Sequence, residues 1–411
     1  MNWQPPERSA ETLALLDMIE ADAKVNPDAY TLSPDAVLAR ALRDTPPEAL
    51  GPDDWAAGFT AYLASAERDG ELNALGRRAC ADMAVGRLRA RLALLKAFDH
   101  NPRSLLGPSQ PPLFIIGGWR TGTTFLQRTM AQAPGLRALF PWELGAPWKA
   151  ASADADARAK MAETARQHHD RLHALNSRLQ AVHDSGPDLA EECVLAMGSD
   201  FRNWGFMSNT RLDSYAAWLE GEDFAGAYRT YRAVLGLLER DPSERFVLKA
   251  PAHTAELASL AAAFPQAVIV WLHRDVVETV ASGASLFAVF RSTYSDRVDP
   301  ADVGAYQARQ TARWFNRALD FRAACEAQKS GPHFIDLAYS DLVADPRASL
   351  RRIHEEAGLG WTSETDRAYA AALAQNRQHR HGKHSYSAEE FGLSPRALET
   401  QFARYRARFG V

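Results

Sequence analysis

An apolar run, Leu113–Ile116 (LFII), gives way directly to GGWRTGTT, Gly117 through Thr124, and then to a stretch patterned as a helix. That order constrains the fold more than any other feature of the chain. A short strand with no polar face must be buried on both sides, and a turn bracketed by glycines that feeds a helix begins a crossover to a parallel neighbour. Three further runs repeat the arrangement: RFVLK (245–249), AVIVWLH (267–273) and HFIDLAY (333–339). Helical patterns follow at HTAELASLAAAF (253–264), at DVVETVASGASLF (275–287), and from Pro346 to near Gly358. Asp275 with Glu278 three residues on reads as a helix-start capping box. The expected fold is α/β, a P-loop-like parallel sheet flanked by helices with right-handed crossovers. Ligands of such sheets bind beyond the carboxyl ends of the strands, where the glycine loop, Lys249 and Arg274 all fall.

The remainder of the chain is mostly helical in pattern. Residues 9–23, 54–68 and 71–98 carry apolar side chains at three- and four-residue spacing, and a Pro-rich break (NPRSLLGPSQPP, 101–112) separates them from the first strand. The spacing predicts a helical N-terminal extension over 1–105, packed on an α/β domain over 106–411. That domain carries a helical insertion at about 150–240. Within it, Thr123–Ala133, 152–183 and an aromatic-rich 189–240 read as helix. The 411 residues carry a net charge of −4, so no global field draws the protein to nucleic acid or anionic lipid, and any basic site must be local. Cys80, Cys193 and Cys325 show neither metal-ligand nor disulfide spacing, which fits a reducing compartment. The N-terminal segment lacks the apolar core of a signal peptide, and no run reaches the roughly 20 apolar residues of a membrane helix. These features predict a cytoplasmic protein with no membrane span, no nucleic-acid partner and no bound metal.

The loop has the chemistry of an anion cradle. Gly117 and Gly122 permit backbone conformations in which successive N–H groups point inward, and the helix from Thr123 adds its positive end. Thr121, Thr123 and Thr124 offer hydroxyls, and Arg120 a planar fork matched to phosphate or sulfate. The alternative is a ligand-free turn, which accounts less well for an arginine and three hydroxyls between a strand and a helix. A nucleotide kinase would place lysine where Thr123 stands, and would end a strand in a Mg²⁺-binding Asp, where this chain has His273 and Arg274. Two further elements are weaker alone. Arg274 and Ser282, eight residues apart across a strand end and two helical turns, could grip one phosphate, or could be a surface ion pair and a packing residue. The run QNRQHRHGKHSYS (375–387) is either a solvated basic surface or a clamp over anions held elsewhere.

Taken together these residues resemble the sulfotransferases that use 3′-phosphoadenosine-5′-phosphosulfate (PAPS), of the large bacterial branch. They are similar also to the tyrosylprotein enzymes and more distantly to the cytosolic ones. The resemblance runs from about Pro111 onward, with low similarity near 150–240. It implies that Arg120, Thr121, Gly122, Thr123, Thr124 and Phe125 hold the 5′-phosphosulfate. It implies that Arg274 and Ser282 bind the 3′-phosphate, that Tyr339, in Tyr-x-Asp-Leu, contacts the adenosine, and that Arg380, His381, Gly382 and Lys383 close over the 3′-phosphate. The expected reaction moves a sulfuryl group from PAPS to a hydroxyl, less readily an amine, on a small-molecule or peptide acceptor, releasing 3′,5′-ADP. A P-loop kinase and a non-catalytic nucleotide-binding scaffold are the alternatives, and a homodimer is compatible with the family. Trp119 stands where many relatives have proline, and His381 where they have lysine.

The chemistry requires cations at the leaving phosphate and a base at the acceptor. Arg120 and Lys249 fill the first role. His253, at the helix start after the strand of Lys249, is the first candidate base, although it lies two positions beyond the place of the cytosolic histidine. Glu143, in ALFPWELG, is the second, by analogy with the tyrosylprotein branch. Glu191, Glu192 and the aromatic side chains Phe201, Trp204, Phe206, Phe287 and Phe290 are candidates for the acceptor wall.

Overall fold

The computed structural model describes residues 3–375 and 386–411. Five strands form one parallel sheet: β1 (Leu113–Gly117), β2 (Leu136–Arg137), β3 (Arg245–Lys249), β4 (Val268–His273) and β5 (His333–Ala338). Their order is β2-β3-β1-β4-β5, which puts the strand feeding the glycine loop at the centre. Four of the five are the runs expected from sequence. The two-residue β2 is too short to show a periodic signal.

Every residue of β1 is buried, because both faces are covered. Phe114 and Ile116 join Leu248, Ile269 and Trp271 in one cluster, while Leu113 and Ile115 join Val247, Val270 and Leu272 in another. The second face is closed by Leu126 and Met130 of the loop helix (Thr123–Met130) and by Leu350 and Ile353 of helix Pro346–Glu356. The first face is closed by helices Val276–Tyr294 and Pro300–Gln328. Phe59, Tyr62 and Leu88, from helices Ala56–Asp69 and Ala74–His100, belong to that same cluster.

The helical readings hold in part. Helices Ala10–Val25, Ala56–Asp69 and Ala74–His100 stand where expected; Pro34–Leu42, opened by Ser33 and Pro34, was not anticipated. Asp275 caps its helix by accepting from the Glu278 amide, but the Glu278 carboxylate turns to Arg274 instead of closing the box. The expected helix over 189–240 is corrected. Only Asp213–Leu219 and Ala225–Leu238 are α-helical, and Cys193–Leu195 and Trp204–Ser208 are single 3₁₀ turns. Side-chain bonds to the backbone compete with helix there. The Asn203 amide donates to the carbonyls of Val194 and Met197 while its oxygen accepts from Gly205 N–H, and Gly198 and Phe201 sit at φ 89° and 59°.

One buried network fastens the end of β4. His273 bonds through Nδ1 to the Tyr405 hydroxyl (2.8 Å) and through Nε2 to Asp336 of β5 (2.9 Å). Asp336 also accepts two bonds of 2.6 Å from Arg322, and Phe409 stacks on the His273 ring. Partial burial alone would raise the Asp336 pKa, but the bonds from His273 and Arg322 hold it well below the usual carboxylate range. Its contribution to stability is therefore present above the unfolded carboxylate pKa of about 3.9 and is lost as pH falls below it. Asp336→Asn should destabilise the fold by about 1–2 kcal/mol in urea unfolding at pH 7, near the low end for charged bonds because a third of the side chain is open to water. The gap from wild type should close below about pH 4.

Candidate functional site

The loop after β1 is folded as a cradle. Gly117 has φ 150°, and a Cβ there would lie 2.8 Å from the Leu272 carbonyl and from Thr121 Oγ1. Gly122 has φ 88° and opens the loop helix in the left-handed region. Arg120 adopts φ 59° without glycine's freedom, an uncommon conformation for a residue that carries a Cβ. Thr121 spends its hydroxyl inside the loop, donating to the Gly118 carbonyl at 2.9 Å. The hydroxyls of Thr123 and Thr124 make no side-chain hydrogen bond among the described residues. The amides of the first helical turn have no intrahelical acceptor, so they point at the same space. Phe125 faces away from it, packed against the cluster beneath the loop helix.

Trp119 is a wedge between this loop and two helices. Its ring lies 5.1 Å from that of Phe287 and 6.3 Å from that of Trp314. Gly283 makes the space: a Cβ there would approach Trp119 Cδ1 to 2.4 Å.

Two of the residues singled out in sequence, Arg274 and Tyr339, meet at the loop. Arg274 donates from Nη1 to the Arg120 carbonyl (2.7 Å) and places its guanidinium 4.4 Å over the Tyr339 ring. Tyr339 in turn lies against Gly122, where a Cβ would meet its ring at 3.3 Å. The second guanidinium nitrogen pairs with Glu278, and Arg274 Nε is buried without a partner. Ser282 is buried two turns along the same helix. Arg380, His381, Gly382 and Lys383 lie outside the described residues.

Lys249 closes β3 with its side chain 1% exposed and its ammonium 2.8 Å from Glu192 Oε1. Glu192 belongs to a segment that crosses the loop. There the Val182 carbonyl accepts from Arg120 Nη1 at 3.3 Å, and His183 Nε2 lies 2.9 Å from Glu191 Oε2. Arg128 of the loop helix anchors the segment three times, at the Asp184 carbonyl (2.7 Å), the Asp184 carboxylate (3.0 Å) and the Ala190 carbonyl (3.4 Å). Glu191 and Glu192 were expected here as an acceptor wall. His183 was not singled out, because in sequence it is only the end of a polar helical stretch.

The two expected bases are placed elsewhere. His253 was expected to face the loop end of the sheet. Its ring instead turns into the core, 5.1 Å from Phe114 and flanked by Tyr228 and Tyr231. Nδ1 bonds to the Tyr228 hydroxyl (2.8 Å), Nε2 is buried without a partner, and burial pushes its pKa down to about 3. The side chain is 1% exposed, so no acceptor reaches it in this conformation. Glu143 is bound to Arg137 Nη2 (2.5 Å), Arg240 Nη2 (2.8 Å) and the Phe140 amide (3.0 Å). Arg137 aligns with Phe246 near the start of β3, three residues short of Lys249, and Arg240 precedes that strand. Glu143 thus neutralises two guanidiniums at the sheet edge. The aromatic wall is likewise corrected: Phe201, Trp204, Phe206 and Phe287 are core residues, and only Phe290 of that set is partly open. Among the described residues no three His, Cys, Asp or Glu side chains are grouped to hold a metal ion, and no helix is long and apolar enough to cross a membrane.

Comparison with known proteins places this geometry in context. A sequence model of the sulfotransferase family matches residues 111–363. Omega-hydroxy-beta-dihydromenaquinone-9 sulfotransferase Stf3 of Mycobacterium bovis, and its counterpart from Mycobacterium tuberculosis, are 24% identical over 263 residues. That match takes in 61% of this chain and spans 64% of the relative's length. Sulfotransferase STF1 of Mycobacterium tuberculosis H37Rv superposes with a TM-score of 0.77 at 26% identity, covering 90% of this chain and 98% of that one. Sulfotransferase STF9 of Mycobacterium avium gives 0.78 at 25%, covering 92% and 96%.

The Trp119 wedge can be tested directly. Gly283→Ala should force the indole off the helix, destabilising the protein by about 1–3 kcal/mol in chemical unfolding, as overpacking does. Trp119 fluorescence is one of ten tryptophan signals, so the local change is better read by faster proteolysis within residues 117–124.

Proposed function

The chain belongs to the sulfotransferase family, and on that premise we propose that it transfers the sulfuryl group of PAPS to a hydroxyl acceptor and releases 3′,5′-ADP. One observation carries the reading. Arg274 bonds to the backbone of Arg120 and stacks over Tyr339, which itself lies against Gly122. These contacts support the reading, since they bring together the loop that would hold a 5′-phosphosulfate, the arginine that would hold a 3′-phosphate and the ring that would meet the adenosine. The chain's own groups fit such a ligand: an unpartnered buried Nε on Arg274, unbonded hydroxyls on Thr123 and Thr124, and first-turn amides without acceptors.

PAPS supplies an activated sulfuryl group on a good phosphate leaving group. By analogy with phosphoryl transfer the transition state is loose, and charge gathers on that phosphate. Arg120, Lys249 and the amides after Gly122 are the groups that would neutralise it. The segment 182–192 would exclude water from the same space. The mycobacterial relative named for an omega-hydroxylated dihydromenaquinone supports a small-molecule alcohol as acceptor class. Three unpaired thiols, Cys80, Cys193 and Cys325, fit a cytoplasmic setting.

Calorimetry with 3′,5′-ADP and with ATP plus Mg²⁺ separates this reading from a kinase. 3′,5′-ADP should bind without metal, and Arg274→Ala should weaken it roughly tenfold to hundredfold, the loss of one charged hydrogen-bonding group. Preference for MgATP, or no binding of 3′,5′-ADP, would sink the proposal. Label transfer from ³⁵S-PAPS to alcohols then separates an enzyme from a scaffold.

A further inference from the structure

With His253 sealed in the core and Glu143 bound to two arginines, the site still needs a group to take the acceptor's proton. We propose that His183, oriented by Glu191, is that base; the proposal rests on the sulfotransferase reading and names a residue of the same site. The residue before it, Val182, gives its carbonyl to Arg120, so His183 emerges beside the cation expected at the bridging oxygen. Asn176 pins the start of the segment to helix Val276–Tyr294 through Val289 O (2.8 Å), Ser292 Oγ (3.2 Å) and Thr293 Oγ1 (3.0 Å). Glu191 is itself fixed: its amide donates to Leu139 O (3.0 Å) and its Oε1 accepts from the Glu192 amide (3.0 Å). The other oxygen meets His183 Nε2. An ionised carboxylate only accepts, so Nε2 carries the hydrogen and Nδ1 the lone pair. Nδ1 has no hydrogen bond among the described residues, and the side chain is a quarter exposed. This is the carboxylate–imidazole pairing by which hydrolases hold a general base in one tautomer.

The step balances. The acceptor's hydroxyl proton passes to His183 Nδ1 while its oxygen bonds to sulfur. The bond from sulfur to the 5′-phosphate oxygen breaks, and the electron pair leaves with 3′,5′-ADP, neutralised by Arg120 and Lys249. The imidazolium is held by the Glu191 carboxylate until it returns the proton to water.

The surrounding charges give the pH dependence its sign. Glu191 and Glu192 face His183 from its own segment, with Asp184 adjacent in sequence. Lys249 faces it from β3 and His173 from helix Ala155–Leu175, Arg120 and Arg128 bond to its segment at Val182, Asp184 and Ala190, and the Phe290 ring packs 6.2 Å away. Burial favours neutral imidazole, but the Glu191 charge and hydrogen bond outweigh it and raise the His183 pKa. Burial would also raise Glu191, yet His183, Lys249 and Arg128 bring it down to about 2. The base works deprotonated, so turnover should rise with pH through the raised His183 value. Removing the Glu191 charge should move that rise to lower pH.

The test uses the full chain, ³⁵S-PAPS, and 1-dodecanol, 2-naphthol and water as acceptors, with 3′,5′-ADP affinity measured in parallel. His183→Gln should lower kcat by about 10²–10⁴-fold, the usual contribution of general base catalysis. It should leave 3′,5′-ADP affinity within about threefold. Glu191→Gln should retain more activity and shift the acidic limb of the pH profile downward, which a purely structural role would not do. Turnover by His183→Gln within about threefold of wild type, or an unmoved limb in Glu191→Gln, overturns the proposal and leaves the sulfotransferase reading standing. Wild-type protein that fails to bind 3′,5′-ADP, or binds it without transferring label to any of the three acceptors, overturns both.

Discussion

The site depends on a strand that has no free face and no free edge. β1 is buried throughout, and β3 and β4 pair with it on either side in parallel register. Ile115 aligns with Lys249 and Gly117 with Leu272, so the chain leaves β1 within a residue or two of where its neighbours deliver Lys249 and Arg274. At about 3.3 Å per residue, a slip of one position would carry a cation several ångströms and turn its side chain to the other face. Packing against two apolar clusters forbids that slip. The chemistry at the strand ends is thus positioned by aliphatic contacts that never meet a ligand.

Above the sheet the governing quantity is charge. Lys249 is almost wholly buried, a state tolerated only with a partner, and Glu192 provides one. Arg274 is matched by Glu278, and His183 by Glu191. The helical insertion therefore supplies the counter-charge to the buried lysine of the sheet, and Arg128 ties it down at two carbonyls. A ligand bearing several negative charges would meet cations already held in place and desolvated, and would need to reorder little around them. The segment 182–192 and the loop form one electrostatic unit, although Val182 lies 62 positions beyond the Arg120 it accepts from.

Much of this was legible beforehand, for physical reasons. Strands such as AVIVWLH are fully buried, so composition alone marks them, and GGWRTGTT needs its glycines for backbone geometry that the structure reproduces at Gly117 and Gly122. Helix 276–294 announced itself through Asp275. Side-chain direction was not legible. His253 starts its turn close to Lys249, and only the packing of Phe114, Tyr228 and Tyr231 sends its ring inward. Phe201 and Trp204 have the composition of a binding wall but serve the core, since burial depends on elements brought from residues 56–69 and 300–328. His183 gains meaning only from Glu191, eight residues away across an irregular turn that no periodicity describes.

The fastening of β4 has a consequence for the order in which the molecule is assembled. Arg274 follows directly on His273, whose two ring nitrogens are held by Asp336 and Tyr405 and whose face is covered by Phe409. During synthesis the glycine loop emerges early, while the residues that lock the neighbouring strand end leave the ribosome almost three hundred positions later. A nascent chain can pair β1 with β3 and β4 long before that, and Asp336 can already bond His273, but the strand end that precedes Arg274 lacks its contacts with Tyr405 and Phe409 until they arrive. Full fastening of the strand end beside the loop therefore waits for the last of these contacts.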